Sequence, residues 1–260
     1  MVVTVEAVLL SASRPRPVQV KLNGVAAGVA YEITKTTADG SRWGVSGGRG
    51  VSAGVQVLLT DNRAPLNVPV TYEVLVAGVT YTAAPIVVDF DGVAVVQTFD
   101  GRSVVGVEIA SLTEERSAGS RSSVFEIAGR RDPAARLDVA GSFSYAWAFD
   151  VHGADAAALE AILKASPVIV RRLTPGMRDL EAVVIGIVTS WKDELITEGL
   201  DTWRRFSLGV RELSDPEPSA RLLAFTWDDF DAAMSSRTWS DFDVLFDTWD
   251  QFDATDWALL

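Results

Sequence analysis

The sequence predicts a mainly β protein, with two β-sandwich modules in succession and a short helical arm at the C-terminus. Three observations predict it. Apolar and polar residues alternate at period two through most of the first 216 residues, broken by Asn-Gly and Asp-Gly pairs. A single apolar stripe at helical spacing interrupts that alternation near residue 160. Beyond a proline-flanked linker, a Thr-Trp-x-x-Phe-Asp motif occurs three times.

Residues 1–90 read as the first module. Val3, Val5, Ala7 and Leu9 alternate with Thr4, Glu6 and Val8, and Val18, Val20 and Leu22 alternate with Gln19 and Lys21. Asn23-Gly24 and Asp39-Gly40 supply turns, and Tyr31-Ile33, Val55-Val57-Leu59, Val70-Tyr72-Val74-Val76 and Val79-Tyr81 continue the pattern. About seven short strands in that length suggest an immunoglobulin- or fibronectin-like β-sandwich. Pro15 and Pro17 suit an edge strand, where a missing N–H does no harm. The glycine-rich run Gly44–Gly50 reads as a flexible hairpin loop.

Residues 91–216 read as a second β module. Asp91-Gly92 and Asp100-Gly101 turn the chain around Val93, Val95, Gln97 and Phe99. The polar run 113–123 reads as an exposed loop, and strands return at 123–128 and 142–151. One helix follows, with Asp155 as its cap and Ala158, Leu159, Ile162 and Leu163 as its apolar stripe; Pro167 lies past its end. Strands over 168–173, 182–191 and 202–212 complete a sandwich or open barrel with one packed helix.

Residues 217–260 read as an arm after the linker Asp215-Pro216-Glu217-Pro218. Thr226-Trp227-Asp228-Asp229-Phe230-Asp231 is echoed by Thr238-Trp239-Ser240-Asp241-Phe242-Asp243 and by Thr248-Trp249-Asp250-Gln251-Phe252-Asp253, with a degenerate fourth copy ending at Trp257. Each Thr can cap a short helix while the Asp or Gln three residues on bonds back to it. Each Trp and Phe, three apart, share a face of the helical turn. Helices this short need a surface to lie on. Trp227, Phe230, Trp239, Phe242, Trp249, Phe252 and Trp257 are therefore the candidate partner-docking residues. Residues 221–260 carry nine Asp and two Arg, a side-chain charge of −7 out of −12 for the whole chain. A merely solvated acidic tail is poor in aromatics, and this one is not.

Composition narrows the function. A net charge of −12 is a poor basis for phosphate contacts, so specific nucleic-acid binding is not expected. Anionic lipid would repel such a surface, and no apolar run is long enough to span a bilayer, so neither is membrane insertion. The basic start of a signal peptide is missing, and the chain is expected to be soluble and made in a cytoplasm. With no cysteine and a single histidine, His152, there is no disulfide, no thiolate nucleophile and too few ligands for a zinc site. His152 has no Gly-x-Ser-x-Gly elbow to serve as base. The glycine-rich run lacks the Lys-Ser/Thr ending of a phosphate loop, and Asp89-Phe90-Asp91-Gly92 lacks the later ligands of a calcium loop. Glu114-Glu115 have no aromatic platform beside them, and the repeat's acids are explained by capping. A non-enzymatic assembly protein without cofactor or metal is the expectation.

Several segments carry a resemblance. Asp39-Gly40-Ser41-Arg42-Trp43 followed by Val45-Ser46-Gly47-Gly48, and Asp61-Asn62-Arg63-Ala64-Pro65-Leu66 leading into Val70-Thr71-Tyr72, resemble stretches of minor tail proteins from phages that infect actinobacteria. So do the segment 124–133, the helix before Pro167-Val168-Ile169-Val170-Arg171, and the closing segments 203–208 and 212–216. These motifs fall in order over most of residues 30–260. The resemblance implies an immunoglobulin-like module followed by a tail-tube-like domain, in a distal tail protein or a close neighbour of it. It implies a homo-oligomeric ring, often six-fold, that joins tail tube to tip. Its partners would be the tail tube, tape measure and tail hub proteins, and its place the virion tail, assembled in the host cytoplasm. An acidic balance also suits a tube through which DNA passes without sticking. The alternative is a host-receptor or glycan-binding module at the tail tip, since exposed tryptophans stack on sugars; the regular Trp-x-x-Phe spacing favours a protein groove.

Overall fold

A computed structural model describes residues 2–10, 15–110, 114–120, 123–126, 128, 131–132, 134–136, 140–176, 180–197, 202–215, 227–235, 237–238, 241 and 244–245 of the chain. Strands dominate it. In the first module β1 (Thr4–Leu9), β2 (Val18–Asn23) and β5 (Val57–Asp61) form one sheet in the order β1-β2-β5. The facing sheet holds β3 (Ala30–Thr37), β4 (Arg42–Val51), β6 (Pro69–Val76) and β7 (Val79–Thr82) in the order β4-β3-β6-β7, with β8 (Ile86–Val87) also against β6. The fourth strand lies beside the third rather than in the smaller sheet, which separates the module from the constant immunoglobulin arrangement.

Period two fills the space between these sheets. Val18, Val20 and Leu22 from β2, Tyr31 and Ile33 from β3, Val57 and Leu59 from β5, and Val70, Tyr72, Val74 and Val76 from β6 form one buried cluster. Ala77 and Gly78, both at positive φ, make the two-residue turn that pairs Val76 with Val79. Asp39-Gly40 turns β3 into β4 as read. Asn23-Gly24 instead carries the chain from one sheet to the other, because β2 and β3 do not pair.

Two readings of this module are corrected. The run Gly44–Gly50 is not a loop but the body of β4, with a bulge opposite Glu32–Thr34. Glycine is needed there for closeness: a Cβ on Gly48 would sit 2.6 Å from the Val45 carbonyl oxygen, and one on Gly50 2.8 Å from the Tyr31 hydroxyl. Pro15 and Pro17 lie in the connection before β2, not in an edge strand, and the Pro17 carbonyl accepts the Leu10 N–H.

The second module contains β9 (Ala94–Thr98), β10 (Val104–Ile109), β11 (Glu115–Ser120), β12 (Ser123–Phe125), β13 (Ala134–Arg136), β14 (Ala140–His152), α1 (Ala154–Ala165), β15 (Val168–Leu173), β16 (Val183–Leu195) and β17 (Trp203–Glu212). The order is β10-β9-β15-β16-β17-β14, and β14 pairs back onto β10 at Glu108↔Asp150 and Ile109↔Phe149. The sheet therefore closes on itself as a six-stranded antiparallel barrel. Trp147, Phe149, Phe206, Leu208 and Ile169 fill it, and α1 adds Leu159, Ile162 and Leu163 to the same cluster.

Helix α1 differs in detail from its reading. Gly153 occupies the cap position at φ 53° and makes no side-chain cap, while Asp155 stands in the first turn, where its charge suits the helix dipole. The buried face is Ala156, Leu159, Ile162 and Leu163; Ala158 is exposed. The expected loop at 113–123 is also corrected. Residues 115–120 form β11 against Ala140–Ala146 of β14. No apolar alternation announces that strand because residues 115–119 are exposed on both faces.

The modules share a strand. Val95 of β9 points into the sandwich core, while its neighbours Ala94 and Val96 point into the barrel core.

Candidate functional site

The docking residues of the sequence reading fall in the arm. Trp227 opens α2 (Trp227–Met234), an eight-residue helix. Phe230, Ala233 and Met234 are half-buried, while Asp231 and Ala232 are exposed. Among the described elements, none packs extensively against α2. The second copy shows the reciprocal cap its spacing requires. The Asp241 carboxylate accepts the Thr238 N–H at 2.7 Å and the Thr238 hydroxyl at 2.8 Å, and the Asp241 N–H reaches back to that hydroxyl at 3.4 Å. The Thr238 N–H, more than any other group, holds the Asp241 carboxyl below its ordinary range. Just beyond, Val244 is 84% exposed. Trp239, Phe242, Trp249, Phe252 and Trp257 lie outside the described residues.

A second assembly of polar groups lies where the modules meet, and the sequence reading missed it as a unit. Asp61, at the end of β5, accepts two bonds from Lys35 Nζ at 2.7 and 2.8 Å, one from the Tyr72 hydroxyl at 2.8 Å and one from the Arg63 N–H at 2.9 Å. Lys35 gives its third bond to the Arg63 carbonyl at 2.8 Å. All of these side chains are buried. Burial pushes the Lys35 ammonium down, against the pull of Asp61. Burial also pushes the Asp61 carboxyl up, but Lys35 and the other donors outweigh it and hold Asp61 below its ordinary value. Tyr72 is raised well above its ordinary value, by burial first and then by the Asp61 charge.

From this cluster the chain reaches across to the barrel. Arg63 Nη1 donates to Ser46 Oγ and to Asp215, both at 2.9 Å, and its Nη2 donates to the Phe99 carbonyl at 3.1 Å. Its guanidinium stacks 3.9 Å from the Phe99 ring centroid. In the other direction Arg172 of β15 donates to the Ala64 carbonyl at 2.8 Å and to Gln97 at 3.1 Å, and Gln97 donates to the Asn62 carbonyl at 3.1 Å. Arg172 is fully buried, and burial lowers its pKa to about 10. Chemically this is a weld: Lys35, Asp61, Arg63 and Arg172 are buried and hydrogen-bonded, with Asp215 half-buried beside them, so the two modules are held at one angle.

A signal for the weld exists in the strand register. Lys35 follows Tyr31 and Ile33 at inward positions of β3, Asp61 follows Val57 and Leu59 on β5, and Gln97 follows Val95 on β9. A charged or polar residue in an inward register marks a buried partner.

A third feature is a ribbon. β11 pairs with the first half of β14, and β12 pairs with β13 in a two-stranded sheet of their own. The β11–β14 register runs from Glu115↔Ala146 to Ser120↔Ala140, and that of β12–β13 from Ser123↔Arg136 to Phe125↔Ala134. β17 pairs with β14 only from Ser144 onward, so the distal ribbon has two strands. The outer edge of β11 has no described partner strand, and Phe125 at the end of β12 is 54% exposed. Arg116 packs over the Phe143 ring at its base, 5.1 Å from the centroid.

No family model matches the chain, and no curated protein matches it.

Proposed function

We propose that this chain is a structural subunit of a phage tail tip, a distal tail protein-like ring component that joins the tail tube to the tip complex. The observation that carries the reading is the ribbon on the closed barrel. Closure leaves the barrel itself without an open side, and the exposed β11 edge is then the barrel module's ready template for another chain. A two-stranded ribbon is marginal in water by itself and is stabilised by covering. The weld to the sandwich suits a part that transmits load, because neither module swings on the other. The acidic balance suits a lumen traversed by DNA. In this reading the ring is homo-oligomeric, its neighbours are tail tube, tape measure and hub proteins, and the aromatic arm docks on one of them.

The test is direct. An antibody against the chain, gold-labelled and imaged on purified particles, decorates the tail tip, and the purified protein forms closed rings under the electron microscope. A chain absent from intact particles, and monomeric at all concentrations with its partners present, overturns the proposal.

A further inference from the structure

The barrel module carries two uncovered strand edges. One is β11: Glu115–Ser120 pairs with β14 on one side, and its other side has no described partner strand. The second belongs to β16. Its pairing with β15 covers only Val183–Ile187, after which the Val188 N–H bonds the Pro167 carbonyl at 2.8 Å. β16 runs on along β17 to Leu195, so over Thr189–Leu195 its outer edge overhangs β15 and has no described partner strand. Helix α1 packs chiefly on β9, β10 and β14. Residues 115–119, 189–190 and 192–195 are exposed. An uncovered edge is a row of N–H and C=O groups that another strand can satisfy.

The two edges fit each other in direction and in register. β16, β17, β14 and β11 stand side by side, each antiparallel to the next. Alternation over these strands makes β11 and β16 run in opposite directions. Copies related by rotation about an axis along the strands keep those directions, so β11 of one copy meets β16 of the next antiparallel. Residues directly opposite share a face of the sheet. Arg116 stands opposite the core residue Tyr145, and Trp191 opposite the core residue Leu208, so Arg116 and Trp191 both face inward. Setting these two opposite one another brings Glu115 against Lys192 on the outer face, Ser117 against Ser190 and Ala118 against Thr189. Arg116, already 5.1 Å from the Phe143 centroid, gains a second ring. Glu115 and Lys192 have no ion-pair partner among the described residues of their own chain. The next pair, Glu114 and Asp193, is neutralised within each chain by Arg171 and Arg204. Sliding by two residues one way sets Glu115 against Glu194; the other way drives Ser117 onto Val188, where Pro167 is already bonded.

We propose that β11 of one copy of this chain adds to the overhanging edge of β16 in a second copy, with Arg116 opposite Trp191 and Glu115 opposite Lys192. This contact rests on the ring reading and supplies the joint between its subunits. The two edges are different surfaces of one chain, so the interface is head-to-tail, and a head-to-tail contact whose rotation closes makes a ring.

Disulfide trapping tests it in the full-length protein, which has no cysteine of its own. Ser117 and Ser190 are both exposed, and opposite positions of an antiparallel ladder lie within disulfide reach. Within one chain β14 and β17 stand between the two positions, so the bond forms only between chains. Oxidation of Ser117→Cys with Ser190→Cys is expected to give a ladder of covalent oligomers ending at the ring, with the thermal melt of the reduced variant unchanged. An equal mixture of the two single variants gives dimers alone, and neither single variant links to itself. Glu115→Lys slows trapping at least about threefold at low salt, and adding Lys192→Glu restores it. If Ser117→Cys links to itself, β11 pairs about a two-fold axis and the proposal falls. If Ser117→Cys with Lys192→Cys, two residues out of register, links as readily, the assigned pairing is wrong. A wild type that forms rings while the double cysteine variant stays unlinked overturns this contact and leaves the ring reading standing. A wild type that never associates removes both.

Discussion

At the scale of single residues, the fold concentrates its electrostatics on Asp61. Four hydrogen bonds converge on one buried carboxylate, and its nearest cation is a buried lysine with no other acid beside it. Removing the charge leaves Lys35 uncompensated. Asp61→Asn is expected to cost about 3–5 kcal/mol in urea unfolding at neutral pH. The sign of the pH dependence follows from the direction of the shift. The folded carboxyl titrates below its unfolded value, so its contribution is present above that value, near pH 4, and is lost as pH falls through the lower, folded one. Stability should therefore drop on the acid side of about pH 4, and Asp61→Asn should lose that part of the drop. A variant whose acid limb matches wild type in depth and position would place the titrating group elsewhere. Tyr72→Phe is the gentler probe. It removes one donor, costs about 1–2 kcal/mol, and moves the acid limb to higher pH, because the ionised carboxylate is less well held.

At the scale of elements, the arm and the edges behave differently from the core strands. The spacing of each Trp-x-x-Phe copy predicts two rings on one face of a helix too short to stand alone, and the Thr238–Asp241 cap closes one such turn. Replacing Trp239 and Phe242 together by Ala is expected to leave the melt of the two modules unchanged and to weaken incorporation into particles by at least about 2 kcal/mol, the loss typical of anchor residues. A melt that falls sharply, with incorporation falling only in proportion, would return the rings to an internal core. The edge strands explain where the sequence was hard to read. β2 and β6 are legible because the inward residues of each, Val18-Val20-Leu22 and Val70-Tyr72-Val74-Val76, all join the core, and β3 because Tyr31 and Ile33 open its inward face. β4 carries four glycines between Gly44 and Gly50, which have no side chain to show a period, and β11 is polar on both faces because it is an exposed edge.

At the scale of the whole molecule, the two modules form one mechanical unit. β9 contributes to both cores, and the Arg63 and Arg172 contacts bridge them on either side of Ala64. Calorimetry should show one unfolding transition for the wild type. Arg63→Ala removes the link to Asp215 and Phe99 and leaves part-buried acceptors short of a donor. It is expected to lower the transition and broaden it toward two, as the sandwich and barrel uncouple. Two resolved transitions already present in the wild type would count against the weld. Limited proteolysis should cut the free subunit past residue 215 first, since the weld ends at Asp215 and the proline-flanked linker begins there.

The sequence by itself determined the class of the fold, most of its strands, the amphipathic helix α1 and the composition of the repeated arm. Each of these is a local pattern: period two, a helical stripe, or a cap and its partner three residues apart. The tertiary structure alone decided the closure of the barrel, the exposed edge at β11 and the weld. Those depend on residues that meet only after folding, as Lys35 meets Asp61 and Ala64 meets Arg172. The sign of their contribution is not local either. A lysine in an inward register is a large penalty alone and a fixed point of the structure once a buried carboxylate stands opposite, and only the packing of β3 against β5 puts it there.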